Sequence, residues 1–193
     1  MNITSFLLYC IIVTLTPGPT NIVILSTARH YGTRKTMAYV WGATLAFGLL
    51  LAGSALLNHL MGEVVPGLMN AMRIIGSVYM LYLAYLIFRM GSLEDDSIPV
   101  LGFFPGFVMQ FVNPKAILFT LTVLPGYVMP YYTTVSAMIL FAGIVTIIGF
   151  MAFASWAVFG GMLRHVLNRH HKILNIILAA FLVYSAIMVS GII

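Results

Sequence analysis

The stretch Val13-Thr14-Leu15-Thr16-Pro17-Gly18-Pro19-Thr20-Asn21 decides how this chain must fold. Two prolines lie inside an otherwise apolar run. Each removes an amide donor and pushes the residue before it out of helical geometry. The carbonyls of Val13 and Leu15, four residues upstream of the prolines, lose their helical donors, so a helix through this stretch is interrupted. A second break stands at Asn113-Pro114-Lys115. There Asn113 reads as an N-cap and Pro114 as the first residue of a new half-helix, and Thr16-Pro17 offers the same pairing.

Working outward, both breaks sit in hydrophobic surroundings. Of 193 residues, 62% are hydrophobic and 7% charged, against roughly 45–50% and 25% in soluble domains. The segments 1–28, 36–62 and 116–163 carry no formal charge, and a spanning helix needs about 20 apolar residues. The pattern predicts spans at about 3–27, 37–57, 68–88, 101–124, 132–159 and 173–192. The expected fold is therefore an all-α integral membrane protein of six transmembrane helices, with helices 1 and 4 broken. The first apolar run lacks a basic n-region and is too long for a signal-peptide core, so it is read as a retained span.

The basic residues sort by loop. Arg29, Arg34 and Lys35 follow span 1; Arg164, Arg169 and Lys172 precede span 6; Arg89 follows span 3; the loop between spans 4 and 5 has none. The positive-inside rule places the basic loops in the cytoplasm and both termini outside, with Tyr127, Tyr131 and Tyr132 in an outer aromatic belt. Arg73 is the exception. A short turn with His59, Gly62, Glu63, Pro66 and Gly67 links spans 2 and 3, and Glu94-Asp95-Asp96 forms the acidic segment.

The halves echo each other. Pro17 and Pro114 are 97 residues apart, and Arg73-Ile74-Ile75 and Lys172-Ile173-Leu174 are 99 apart, with Tyr85 and Tyr184 in the same register. The chain thus reads as one transmembrane transporter domain, 1–193, built as an inverted 3+3 repeat. Residues 1–90 form the first three-helix unit and 100–193 the second, inverted one. A unit with an odd number of spans must insert its second copy upside down, as recurs in secondary transporters. Chance similarity between apolar helices is the alternative.

Several function classes drop out. The net charge of +5 is scattered among apolar runs, which does not suit nucleic-acid binding. Cys10 is the sole cysteine, so no intrachain disulfide or CxxC pair can form. No Asp or Glu falls in a span, which disfavours metal transport and an aspartyl membrane protease; no histidine lies mid-span to activate a serine. His165, His170 and His171 read as a solvated basic face with no ligand role. No metal or cofactor is expected.

The chemistry concentrates at the breaks. Non-helical backbone at membrane depth is tolerated only inside protein or along a watery cavity. Two half-helix N-termini can converge there on an anionic group such as a carboxylate; two proline kinks packed by neighbours are the structural alternative. Lys115 lies too deep to snorkel, and a central lysine costs about 2.5–3.5 kcal/mol on insertion scales. It either meets a substrate carboxylate or is satisfied by the carbonyls freed at the breaks. An α-ammonium would be held by neutral oxygens: the Val13 and Leu15 carbonyls, Asn21, Gln110, Asn113 or tyrosine hydroxyls. Ala38, Gly42 and Ala46 form a small-residue stripe for close packing, within a protomer or between two. Tyr79, Tyr82 and Tyr85 recur at helical spacing and read as one packed face, with a hydroxyl on the path as the alternative.

Thr16-Pro17-Gly18-Pro19 with Asn21, and Gln110-Phe111-Val112-Asn113-Pro114-Lys115, with the six-segment pattern, resemble the lysine exporter (LysE/RhtB) family of amino-acid translocators. The resemblance covers essentially the whole chain and implies export of amino acids across a bacterial inner membrane, coupled to the membrane gradient. Met109 to Leu118 and Leu174 to Ala186 are similar to the small members exporting cysteine and O-acetylserine. Members handling threonine, homoserine or basic amino acids stay open as alternatives, as do a channel and a structural membrane protein. Thr16, Pro17, Gly18, Pro19, Asn21, Gln110, Asn113, Pro114 and Lys115 are the expected substrate-binding positions. The expected partners are an amino-acid substrate, a coupling proton, the lipid bilayer and, as an open case, a second copy of the chain; no nucleic acid is expected.

Overall fold

The computed structural model describes residues 1–57, 61–89 and 102–190. His59, Glu94-Asp95-Asp96 and the end of the last span beyond Ser190 lie outside the described residues. Among the described residues every regular element is helical. In order these are α1 (Ile3–Leu15), α2 (Pro19–Tyr31), α3 (Thr33–Leu57), α4 (Met61–Arg89), α5 (Phe103–Val112), α6 (Pro114–Val123), α7 (Val135–Met162), α8 (Arg164–Arg169) and α9 (His171–Ser190). A π-helical turn, Leu124–Val128, prolongs α6.

Both expected breaks are present. The α1–α2 pair is bent by 53° and α5 with the extended α6 by 65°. Among the described residues, α3 and α7 are long and apolar enough to cross a membrane, and each bent pair counted as one span brings the number to four. α4 and α9 add the shorter apolar stretches Ser77–Arg89 and His171–Ile187. The large apolar side chains of α7 and α9 that point outward, such as Ile139, Ile147, Ile173 and Ile177, stay exposed, the pattern of a surface that meets lipid.

Some boundaries differ from expectation. The second half of the first broken helix starts at Pro19 with Gly18 as its N-cap, not at Pro17. The residue before a proline is disfavoured in helical geometry, so Pro19 pushes Gly18 into extended backbone and the helix cannot form until Pro19 itself. The expected turn at 62–67 is instead the start of α4.

The centre of the molecule is α2, buried at every position from Pro19 to His30. It carries Thr20, Asn21, Ser26, Thr27, Arg29 and His30, too polar a set to face lipid, and its neighbours α3, α7, α8, α9, α4 and α5 enclose it. Arg29, expected in the basic loop after span 1, is fully buried here. α2 continues four residues beyond the expected end of span 1, and that extension carries Arg29 into the bundle.

Small residues allow the close packing. A Cβ on Gly42 would lie 1.9 Å from the Phe103 carbonyl oxygen, and one on Gly106 would lie 2.3 Å from that of Tyr39. The Gly42 part of the stripe is thus an α3–α5 contact within the chain, while Ala38 is exposed. Tyr79, Tyr82 and Tyr85 do not share one packed face. Tyr79 donates to the Pro105 carbonyl at 3.2 Å, whereas Tyr82 and Tyr85 point outward.

Candidate functional site

The two breaks meet. Val13, Thr14, Gly18, Thr20 and Asn21 from the first, Gln110, Asn113, Lys115 and Ala116 from the second, and the rings of Phe47, Phe119 and Phe153 line one cavity. Its volume is about 30 Å³, room for one or two waters rather than an amino acid.

The carbonyls freed at the end of α1 are satisfied by side chains of α2, α6 and α7. Asn21 Nδ2 donates to the Thr14 carbonyl at 2.9 Å and the Thr16 carbonyl at 3.0 Å. Trp156 Nε1 donates to the Leu15 carbonyl at 3.1 Å. Lys115 Nζ reaches from α6 to the Thr16 carbonyl at 2.5 Å. The carbonyls that gain these donors are therefore Thr14, Leu15 and Thr16, because α1 ends at Leu15 and its whole last turn needs donors, not only the two positions the prolines strip. Val13 enters the site as a lining residue instead.

Among the described residues the lysine has a carbonyl partner and no counter-charge. The four carboxylate residues are Glu63, Glu94, Asp95 and Asp96, so among the described side chains there is no carboxylate. Gly18 lets the stem approach: a Cβ there would lie 2.9 Å from Lys115 Cδ. At the second break, Asn113 Oδ1 caps α6 by accepting from the Lys115 amide at 3.1 Å. Its Nδ2 donates to Thr20 Oγ1 at 2.8 Å, and Gln110 Nε2 donates to the same hydroxyl at 3.0 Å. Thr20 thus ties the start of α2 to both halves of the other broken helix.

Two acceptors are left over. Asn21 must turn its NH₂ toward carbonyls that can only accept, so its Oδ1 is the free end of the amide. Among the described residues Asn21 Oδ1 and Gln110 Oε1 are buried and have no donor. The amides at the starts of α2 and α6, at Thr20, Asn21 and Ala116, precede the first intrahelical bonds and present the positive ends of both helices.

Of the expected site residues, Gly18, Asn21, Gln110, Asn113 and Lys115 line the cavity; Thr16 supplies the carbonyl that holds the lysine. Pro17, Pro19 and Pro114 shape the backbone without lining it. Sequence reasoning missed Thr20 as the link, Trp156, and the three phenylalanines. Thr20 lay within the diagnostic stretch, but a phenylalanine in an apolar span carries no local sign that it faces a cavity. Among the described residues no group of three His, Cys, Asp or Glu could hold a metal ion.

Comparison with known proteins agrees on one group. The LysE type translocator family matches residues 11–190. A cysteine/O-acetylserine efflux protein of Salmonella choleraesuis (strain SC-B67) is 30% identical over 190 residues, 98% of this chain and 97% of its own length. The protein of the same description from Escherichia coli (strain K12) is 29% identical over 188 residues, 97% and 96% of the two chains. No solved structure matches the chain.

Proposed function

Because the chain belongs to the LysE type translocator family, we propose that it exports small zwitterionic amino acids, of the cysteine and O-acetylserine class, across the bacterial inner membrane. The observation that carries this reading is the convergence of both helix breaks around Lys115 in one cavity.

The substrate carboxylate binds Lys115 Nζ, which gives one hydrogen to Thr16 and keeps two, and the amides at the starts of α2 and α6. The α-ammonium takes the unpaired oxygens of Asn21 and Gln110. The side chain lies among Phe47, Phe119 and Phe153. A cavity of about 30 Å³ must widen to admit substrate. Small substrates are favoured because each extra atom must be fitted against those rings.

Export is secondary-active and coupled to protons. The helix pairing expected of an inverted repeat supports this reading. Exchanging the halves sets α1–α2 against α5–α6, α3 against α7 and α4 against α9; α3 packs on α7, α4 packs on α9, and each bent pair lies on the other half's long helix. The distribution of basic residues supports an orientation with both termini outside.

The test is export from intact cells overproducing the chain, measured over cysteine, O-acetylserine, threonine, homoserine and lysine, with and without an uncoupler. Cysteine and O-acetylserine should leave the cells faster than from vector controls, and the uncoupler should abolish the difference. Export of no amino acid above the control overturns the reading; export indifferent to the uncoupler overturns the coupling.

A further inference from the structure

Arg29 is a cation for which the cavity has no use. It stands in the last turn of α2, eleven residues after Gly18, so it is about 16 Å along the same helix from the cavity. Its side chain is 0% exposed. Among the described residues nothing accepts a hydrogen bond from its Nε, Nη1 or Nη2, and the hydroxyl of Thr27, two residues earlier, is also buried without a partner. A guanidinium taken out of water keeps all its donors and stays charged, so burial without an acceptor is strongly unfavourable. That cost is relieved in a conformation that opens this end to water and gives the fork an oxyanion.

The packing beside Arg29 is close. Here α2 meets α7 through backbone and small side chains: a Cβ on Gly160 would lie 2.9 Å from both the Ala28 Cβ and the Leu25 carbonyl oxygen. The first turn of α3, one residue past the end of α2, holds Arg34 and Lys35, and α8 and the start of α9 hold Arg164, Arg169 and Lys172, so this is the basic end of the molecule. An exported substrate arrives from that side. One helix therefore links a guanidinium at the basic end to the lysine-lined cavity, with no carboxylate of its own between them.

We propose that Arg29 is a second carboxylate-binding residue, which takes the substrate carboxylate on the inner side when α2 and α7 part and from which it passes to Lys115. The inference rests on the export reading. The guanidinium grips the carboxylate with two parallel hydrogen bonds, a geometry that discriminates against decarboxylated amines.

The experiment uses the full chain in inside-out membrane vesicles, with L-cysteine kept reduced and cysteamine as its decarboxylated counterpart. Arg29→Gln should raise the inner-face KM for L-cysteine by about tenfold or more, the size expected for loss of a charge-assisted pair, while the maximal rate changes little. Arg29→Lys should lie between, and any cysteamine uptake should not change. In parallel, Arg29→Cys in a Cys10→Ala background should react with an impermeant anionic thiol reagent from the inner face, and O-acetylserine should slow the reaction. An unchanged KM in Arg29→Gln, or a position 29 that is never labelled while the vesicles transport, overturns the proposal. If Arg29→Gln does not accumulate, the labelling decides. Wild-type vesicles that take up no amino acid overturn the export reading itself, and Arg29's role with it.

Discussion

Lys115→Met keeps an unbranched stem over Gly18 and deletes the charge, which separates a substrate-binding lysine from a structural one. Two effects on stability oppose each other. The bond from Nζ to the Thr16 carbonyl is charge-assisted, and losing such a bond costs about 1.5–3 kcal/mol. The carbonyl is not orphaned, because Asn21 Nδ2 still donates to it at 3.0 Å. Against that loss, a lysine at membrane depth carries an insertion cost of about 2.5–3.5 kcal/mol that methionine does not. The two nearly cancel, so the variant should melt within a few degrees of wild type. Transport has no such compensation. A carboxylate deprived of its cationic partner loses about 1.5–3 kcal/mol, which is roughly 10- to 150-fold in affinity. Thermal unfolding in detergent followed by size-exclusion fluorescence reads the first quantity, and the KM for L-cysteine uptake by inside-out vesicles reads the second. A Lys115→Met protein with unchanged KM refutes the substrate role. So does one that melts far below wild type and loses transport only in proportion to lost folded protein.

Two neighbouring positions give further tests. Gly18→Ala puts a Cβ 2.9 Å from Lys115 Cδ and 3.3 Å from Nζ. The backbone there is extended and accepts alanine, and the lysine stem can swing aside, so accumulation in the membrane should be normal while the KM rises several-fold. An unaltered KM would show that the position of Nζ does not matter. Asn21→Ala removes the donor from the Thr14 carbonyl and one of two from Thr16, which should destabilise the protein by about 2–4 kcal/mol. The melting temperature in detergent should fall clearly below that of Lys115→Met, and equal melting of the two variants would count against the bonding described at the break.

How much of this was legible beforehand follows from the kind of signal each residue gives. The breaks were readable because proline acts on its own backbone, whatever surrounds it: Pro17, Pro19 and Pro114 interrupt their helices by removing donors. The N-cap role of Asn113 was readable for the same local reason, and the structure forms it. The start of α2 was misplaced by two residues because two closely spaced prolines offer two first positions, and the restriction on Gly18 selects the later one. Lys115 was conspicuous because a charge is costly at that depth. Its partner at Thr16 was one of many free carbonyls, and only the approach of the two broken helices selects it.

The sequence by itself determined that this is a helical membrane chain with two broken helices and an isolated central lysine, since hydropathy, proline geometry and the cost of burying charge are properties of short segments. Only the tertiary structure decided that Thr20 joins the breaks, that Phe47, Phe119 and Phe153 wall the cavity, and that Arg29 is enclosed rather than solvated. These depend on which helices surround α2. In an apolar solvent many helix faces are equally content against lipid or protein, so one segment's pattern does not fix its neighbours; the packing of the polar helix among the others does.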